Sequence, residues 1–463
     1  MSAEHDGNYS SDGLDGPARR RAAVAIWLAI LIASLDVTMT MAALPTIGEA
    51  LRLSPVEVTW VITAYQLGII IMILPMAAIG EVVGFRPVYL SGIAVFVAAS
   101  IVTATTFVLP ALAGARFVQG MGAGAIMAVN GAMIRRTYPR ALLGKGAGYN
   151  AMVIAMAAAA GPAIASTLLI AASWHWIFLV TAPAGLAALV IGWSALPSDE
   201  PTRKAIDWLS ALLCAGGLAL LVMGASGLIH DGLVVPSLLA WAGSAAALAS
   251  LFRRSVGQPS PLLPIDLLRD RLLRLSYMTS ALSFCAQVMA LVSIPFLLTA
   301  RLGFDLVHLA IILTAWPVAT ALCAYVSGQL AGRVPTSVLG ATGLLLMAAS
   351  LGVLAFVPAS APPWLAAGLV GGSGAGFGIF QTPNNRFMLD RAPSGRIGAS
   401  GGMLAIARLI GQTCGALLVA ALFGLAAPDG PLVLAGAAIA ACAGAAVSIS
   451  RRRAPTAGDR SAD

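Results

Sequence analysis

Four charged side chains stand inside apolar runs of the chain: Asp36, Arg116, Arg386 and Arg408. An ion in hydrocarbon is costly, so each needs a partner, a wet cavity or a task. Asp36 is the one carboxylate set deep in such a run. Burial and nearby cations or water pull its protonation in opposite senses, so its proton can come and go as its surroundings open and close. That is the chemistry of a proton-coupling site, with Arg116 as the cation that tunes it. A permanent Asp–Arg pair that only fixes helix packing accounts for the same residues.

The elements that must hold these ions are membrane helices. Of 463 residues, 59% are hydrophobic and 10% charged, with a mean hydropathy of +0.90. A soluble domain is roughly 45–50% apolar and 25% charged, so a soluble enzyme and a single-span receptor are excluded. Continuous Leu/Ala-rich runs exclude an outer-membrane barrel, whose strands alternate. At about 20 residues per crossing, hydropathy gives about fourteen spans, the first over residues 22–45 and the last over residues 431–450. Cys214, Cys285, Cys323, Cys414 and Cys442 sit singly in apolar runs, which reads as core filler and neither a disulfide framework nor a metal site. Twenty-two of the 27 Lys and Arg residues fall in one alternate set of loops and tails and 2, Arg52 and Arg301, in the other. Basic residues resist translocation, so both termini are expected in the cytoplasm. The net charge of +8 is topology, and nucleic acid is no partner.

A weak internal echo, Gly122-Ala123-Gly124 against Gly374-Ala375-Gly376, suggests two homologous halves, a transporter plan with the substrate site at their interface. The expected organisation is a cytoplasmic tail (1–21), a six-helix half (22–196), two inserted spans (206–252), a linker with an amphipathic surface helix (253–274), a second six-helix half (275–450) and a second tail (451–463). Chance similarity of Gly/Ala-rich helices is the plain alternative for the echo.

Several motifs carry a resemblance. Leu35-Asp36-Val37-Thr38 with Ala43-Leu44-Pro45 resembles the first-helix signature of the fourteen-span drug:proton antiporters of the major facilitator superfamily, with Met41 where that family usually has Asn. Trp60, Thr63, Ala64 and Tyr65 are similar to its second helix, and Arg116-Phe117-Val118-Gln119-Gly120-Met121-Gly122 to its fourth-helix motif, where the arginine is implied in proton relay. Glu81, Gly84 and Arg86 match what remains of the superfamily's gating loop. Gly161-Pro162 resembles the motif of antiporters rather than symporters, and Trp174-His175-Trp176 with Pro183-Ala184-Gly185 the fourteen-span family's own signature. In the second half, Phe377, Phe380 and Gln381 lie in a stretch common among bacterial members. Candidate cavity residues are Asp36, Tyr65, Gln66, Phe284, Gln287, Trp316, Phe377, Phe380 and Gln381, with core packing an equal account of the aromatics.

The resemblance implies an all-α membrane protein with the major facilitator fold: two six-helix halves plus two central spans, in a bacterial inner membrane. It implies a monomer that exports amphipathic, cationic drugs or toxic compounds in exchange for protons, causing drug resistance. A dedicated exporter of one natural product, sugar or lipid is the rival reading. No cofactor is implied. No nucleophile–base pair, metal-ligand cluster, phosphate loop or selectivity filter supports an enzyme or a channel.

Overall fold

With no water in the bilayer core, a backbone polar group must be satisfied within its own segment, so the apolar runs fold as helices. The computed structural model describes residues 13–198, 207–255, 265–331, 333–391 and 397–453. Among these, fourteen helices are long and apolar enough to cross a membrane: α1 (Gly16–Leu51), α2 (Pro55–Val83), α3 (Phe85–Thr103), α4 (Leu109–Thr137), α5 (Lys145–Ala171), α6 (Trp176–Ala195), α7 (Trp208–Ile229), α8 (Val234–Arg254), α9 (Arg271–Arg301), α10 (Leu306–Leu330), α11 (Thr336–Ala355), α12 (Pro363–Asp390), α13 (Ile397–Leu425) and α14 (Leu432–Ser450). The expected residues Arg203, Lys204, Ile206, Pro264, Arg396 and Arg460 lie outside the described set, as do most of the two tails.

Local physics moves some boundaries. The first helix does not stop at Pro45, which is buried inside α1; it ends where Arg52 turns left-handed at φ 53°. The expected amphipathic surface helix over residues 264–274 is a 3-10 turn, Ile265–Arg269, that stops at Asp270. Asp270 takes an extended conformation and caps α9, its Oδ1 accepting from Leu272 N at 2.8 Å and Leu273 N at 3.2 Å. Its other oxygen accepts from Arg391 Nε at 2.9 Å, tying the start of α9 to the end of α12. A capping carboxylate at that position outcompetes a continuous helix, because it satisfies the first orphan amides of α9.

The two halves repeat one packing plan. In the first, α4 lies between α2 and α3, and α1 packs on α5 and α6; in the second, α12 lies between α10 and α11, and α9 packs on α13 and α14. Glycines set the close approaches. Gly120 and Gly124 abut the backbone of Tyr65 and Ile69, as Gly374 and Gly378 abut that of Trp316 and Thr320. Gly122 meets Gly92 and Phe96, as Gly376 meets Gly343 and Met347. The structural equivalence therefore runs from Gly120 to Gly374, a shift of 254 positions, where the sequence echo pairs Gly122 with Gly374. A two-residue slip is invisible in a run of alternating glycines, and only the neighbouring helices fix it.

The halves meet through α5 against α10 and α2 against α13. At the end remote from the termini one apolar cluster joins them, with Leu44, Ile47 and Ile177 from the first half and Leu297, Leu302 and Phe423 from the second. The inserted helices α7 and α8 pair with each other, and α7 rests on α2 and α13. Asp207 closes this hairpin: it accepts from Ser210 Oγ at 2.6 Å and pairs with Arg254 at 3.2 Å. Of the cysteines read as core filler, Cys214 and Cys285 are buried, but Cys414 and Cys442 are exposed on outward helix faces.

Candidate functional site

Arg116 and Gln119 are three residues apart on α4 and therefore share a face. That face meets α1 at Asp36, which is fully buried. Arg116 Nη1 donates to Asp36 Oδ2 and to Gln119 Oε1, each at 2.6 Å. Its Nε donates to the carbonyl of Val61 at 3.1 Å, and its guanidinium lies over the Tyr65 ring at 4.2 Å and faces Phe178 at 5.3 Å. Gln119 Nε2 donates to Asp36 Oδ1 at 2.9 Å and to Ser100 Oγ at 2.7 Å. Both Asp36 oxygens are thus occupied, and one polar network holds α1, α2, α3 and α4 together. Charge-assisted bonds of this geometry are the strong class.

A cavity of about 230 Å³ lies between the halves at the middle of the helices. The first half supplies α1, α2, α4 and α5; the second supplies α9, α10 and α13. Tyr65, Gln66, Gln287 and Trp316 reach it, with Arg116 at its edge and Pro162 of the Gly161-Pro162 pair on its wall. Tyr65 and Trp316 occupy equivalent places in the two halves, each carried by the backbone on which a glycine of the central helix packs. Asp36 is not on the wall; it sits behind it, reached through Arg116. Most of the remaining lining is apolar, including Ile62, Met127, Val288 and Leu291.

Other expected residues stand elsewhere. Phe284, Phe377 and Phe380 are buried in the second-half core, with Phe284 edge-on to Phe377 at 5.3 Å. Residues 377 and 380 are three apart on α12, and their shared face turns toward α9 instead of the cavity. Gln381 is half-buried and off the wall. Arg386 is an exposed residue paired with Asp390 at 3.3 Å. Gly84 forms the one-residue link between α2 and α3 at φ 104°, a conformation that favours glycine. Arg86 beside it donates to the carbonyl of Trp193, and Glu81 is exposed at the end of α2. Gly161 lets α5 approach Thr38 of α1. His175 stacks on Trp174 at 3.7 Å and its Nε2 lies 3.2 Å from the carbonyl of Thr106, so it joins two loops.

Sequence reasoning missed Gln119 and Ser100 as members of the network, and Thr40 and Gln412 near or on the wall. Gln119 was within reach, since it stands one turn from Arg116. Ser100 offers no signal in an apolar helix.

Two pseudo-equivalent helix bundles around a central cavity, with a buried ion pair behind one wall, define a membrane transporter. Residues 26–416 match the sequence pattern of the Major Facilitator Superfamily, and the chain belongs to it. It is 40% identical over 443 residues to the Uncharacterized transporter YebQ of Escherichia coli (strain K12), covering 95% of this chain and 96% of that relative. The Riboflavin transporter RibZ of Clostridioides difficile (strain 630) is 24% identical, covering 86% of this chain and 87% of its own. The Putative multidrug resistance protein MdtD of Salmonella typhi is 29% identical over 47% of each. In fold the chain resembles a POT family transporter crystallised with a thioalcohol conjugated peptide, with a TM-score of 0.72, 13% identity and coverage of 94% of this chain and 96% of that one.

Proposed function

We propose that the chain is a proton-coupled secondary transporter that exports amphipathic small molecules from bacteria by alternating access, with both termini in the cytoplasm. The observation that carries the reading is the Asp36–Arg116–Gln119 network directly behind the cavity wall. Protonating Asp36 removes the negative partner of Arg116, which loosens α1 from α4. Because α1 also lines the cavity through Ser34, Val37 and Met41, the protonation state and the cavity's shape depend on one another. Such linkage is reciprocal: a ligand that reshapes the cavity shifts the proton affinity by the same coupling free energy. The Gly161-Pro162 pair, where α5 approaches α1, supports exchange over cotransport through its resemblance to the antiporter motif.

The flexible, mostly apolar wall with Met41 and Met127 fits a range of ligands, as the name of the MdtD relative suggests. A narrower reading, a dedicated transporter of one compound, is favoured by the fuller coverage of the relative named for riboflavin. Of the two roles open to Asp36, substrate binding and proton coupling alone, the second is supported by its place behind the wall with each oxygen hydrogen-bonded within the protein. The test uses inside-out vesicles energised to be acid inside and challenged with a panel of amphipathic compounds. Proton exit triggered by some of the panel supports exchange. Acidification triggered by the same compounds contradicts exchange, and a single active compound selects the narrower reading.

A further inference from the structure

Arg408 enters the cavity from α13, on the half opposite Asp36. Its Nε is buried with no hydrogen-bond partner, and among the described residues no carboxylate pairs with it. Asp36 is fully used by Arg116 and Gln119, and the other described acids lie at or beyond helix ends. A guanidinium held in a membrane interior without a counter-ion is costly to keep. It stays charged because arginine does not deprotonate in proteins.

A second observation points the same way. Three further buried polar atoms without partners belong to residues lining this cavity: the Trp316 indole N–H, the Thr40 hydroxyl and the Gln66 side-chain oxygen, on residues 3%, 1% and 5% exposed. Buried polar groups are ordinarily satisfied, so a set gathered on one cavity marks where a ligand's polar group belongs. Trp316 donates, Thr40 can donate and Arg408 donates with a charge, whereas Gln66 Oε1 accepts, so three of the four groups seek an acceptor and the charged one sets its sign.

We infer that the cavity takes an amphipathic anion, a carboxylate or similar oxyanion on an apolar body, with Arg408 as its counter-ion and Trp316 as a second donor. This deepens the transport reading above and rests on it. The apolar body lies against Ile62, Ile69, Met127 and Leu291. The substrate's anionic group and the proton then sit on opposite halves, so exchange between them is transmitted by the movement of one half against the other and not by competition for one carboxylate.

The test measures binding without any gradient, so it stands apart from the flux test of transport. The purified full chain in phosphatidylcholine nanodiscs, which keep out anionic lipid headgroups, is titrated calorimetrically with 1-naphthylacetate, 1-naphthylacetamide and (1-naphthylmethyl)trimethylammonium. The wild type is expected to bind the carboxylate at least about tenfold more tightly than the amide, which corresponds to about 1.4 kcal/mol, and the ammonium least. Arg408→Gln is expected to remove that preference while leaving the amide within about twofold, and Arg408→Lys to keep part of it. Equal binding of all three, a preference for the ammonium, or no binding overturns the inference, as does an Arg408→Gln variant that retains the carboxylate preference. The order of the three probes on the wild type decides the matter even if the variants do not fold.

Discussion

At the scale of single residues, the Asp36–Arg116 pair is a buried ion pair to which the proposed function gives a chemical task. Both side chains are buried, at 0% and 1% exposure, and removing one partner leaves the other charge uncompensated at a cost of about 3–5 kcal/mol. Asp36→Asn and Arg116→Gln should each lower thermal stability by that order. The double variant should lose less than the two single losses combined, with a coupling of about 0.5–3 kcal/mol; strict additivity would show that the pair does not interact. Phe377 gives the contrasting case. Phe377→Ala should cost about 3–5 kcal/mol through the cavity it leaves in the second-half core, yet keep the substrate profile of the remaining folded protein. A changed profile would return Phe377 to the binding site. The sequence marks Asp36 and Arg116 clearly, because a charge in an apolar run is conspicuous. It does not separate Tyr65, which lines the cavity, from Phe377, which does not, because both are aromatics on apolar helices and the facing helix decides between wall and core.

At the scale of helices, spacing that reads as mere Gly/Ala richness sets the contacts. A methyl group added at Gly120 would run into the backbone of Tyr65, whereas one added at Gly114 or Gly131 of the same helix meets nothing. Gly120→Ala should therefore abolish the folded yield or distort the wall that Tyr65 forms, while Gly114→Ala and Gly131→Ala should be neutral or stabilising by up to about 1 kcal/mol. Size-exclusion profiles after purification check all three, and a monodisperse Gly120→Ala protein of wild-type stability would contradict the close approach. The inserted hairpin carries its own pH dependence. The Ser210 hydroxyl, then the Ser210 backbone N–H and Arg254, hold the Asp207 carboxyl below its usual range. A depressed folded value gives stability that is present above the unfolded value and lost as pH falls through the folded one. Acidification should thus loosen α7 from α8, an effect absent in Asp207→Asn, and hydrogen exchange at the start of α7 reads it. Span positions were legible because length and hydropathy suffice for them. Which face of each span turns inward was not, since a helix apolar all round carries no stripe to tell lipid from protein.

At the scale of the whole molecule, two halves of like packing enclose one cavity, and the buried Asp36–Arg116 pair belongs to one half while the unpaired Arg408 belongs to the other. The 22-to-2 bias in basic residues predicts that the loops after α2, α4 and α6 face the cytoplasm. A cysteine-free background carrying Thr105→Cys, on the loop after α3, should react with a membrane-impermeant maleimide from outside intact cells, and one carrying Arg269→Cys only after permeabilisation; the reverse pattern would invert the orientation. The internal repeat was half legible: glycines announced it, but its true register of 254 positions needed the neighbours of Gly120 and Gly374. The central claim is that Asp36 couples proton movement to the cavity. Its most direct test compares wild type and Asp36→Asn in proteoliposomes for both proton-driven substrate transport and substrate counterflow, which needs no net proton movement. The account predicts that Asp36→Asn loses the first by at least about tenfold while retaining the second. Loss of both together, or retention of proton-driven transport, would contradict it and leave the pair a packing device.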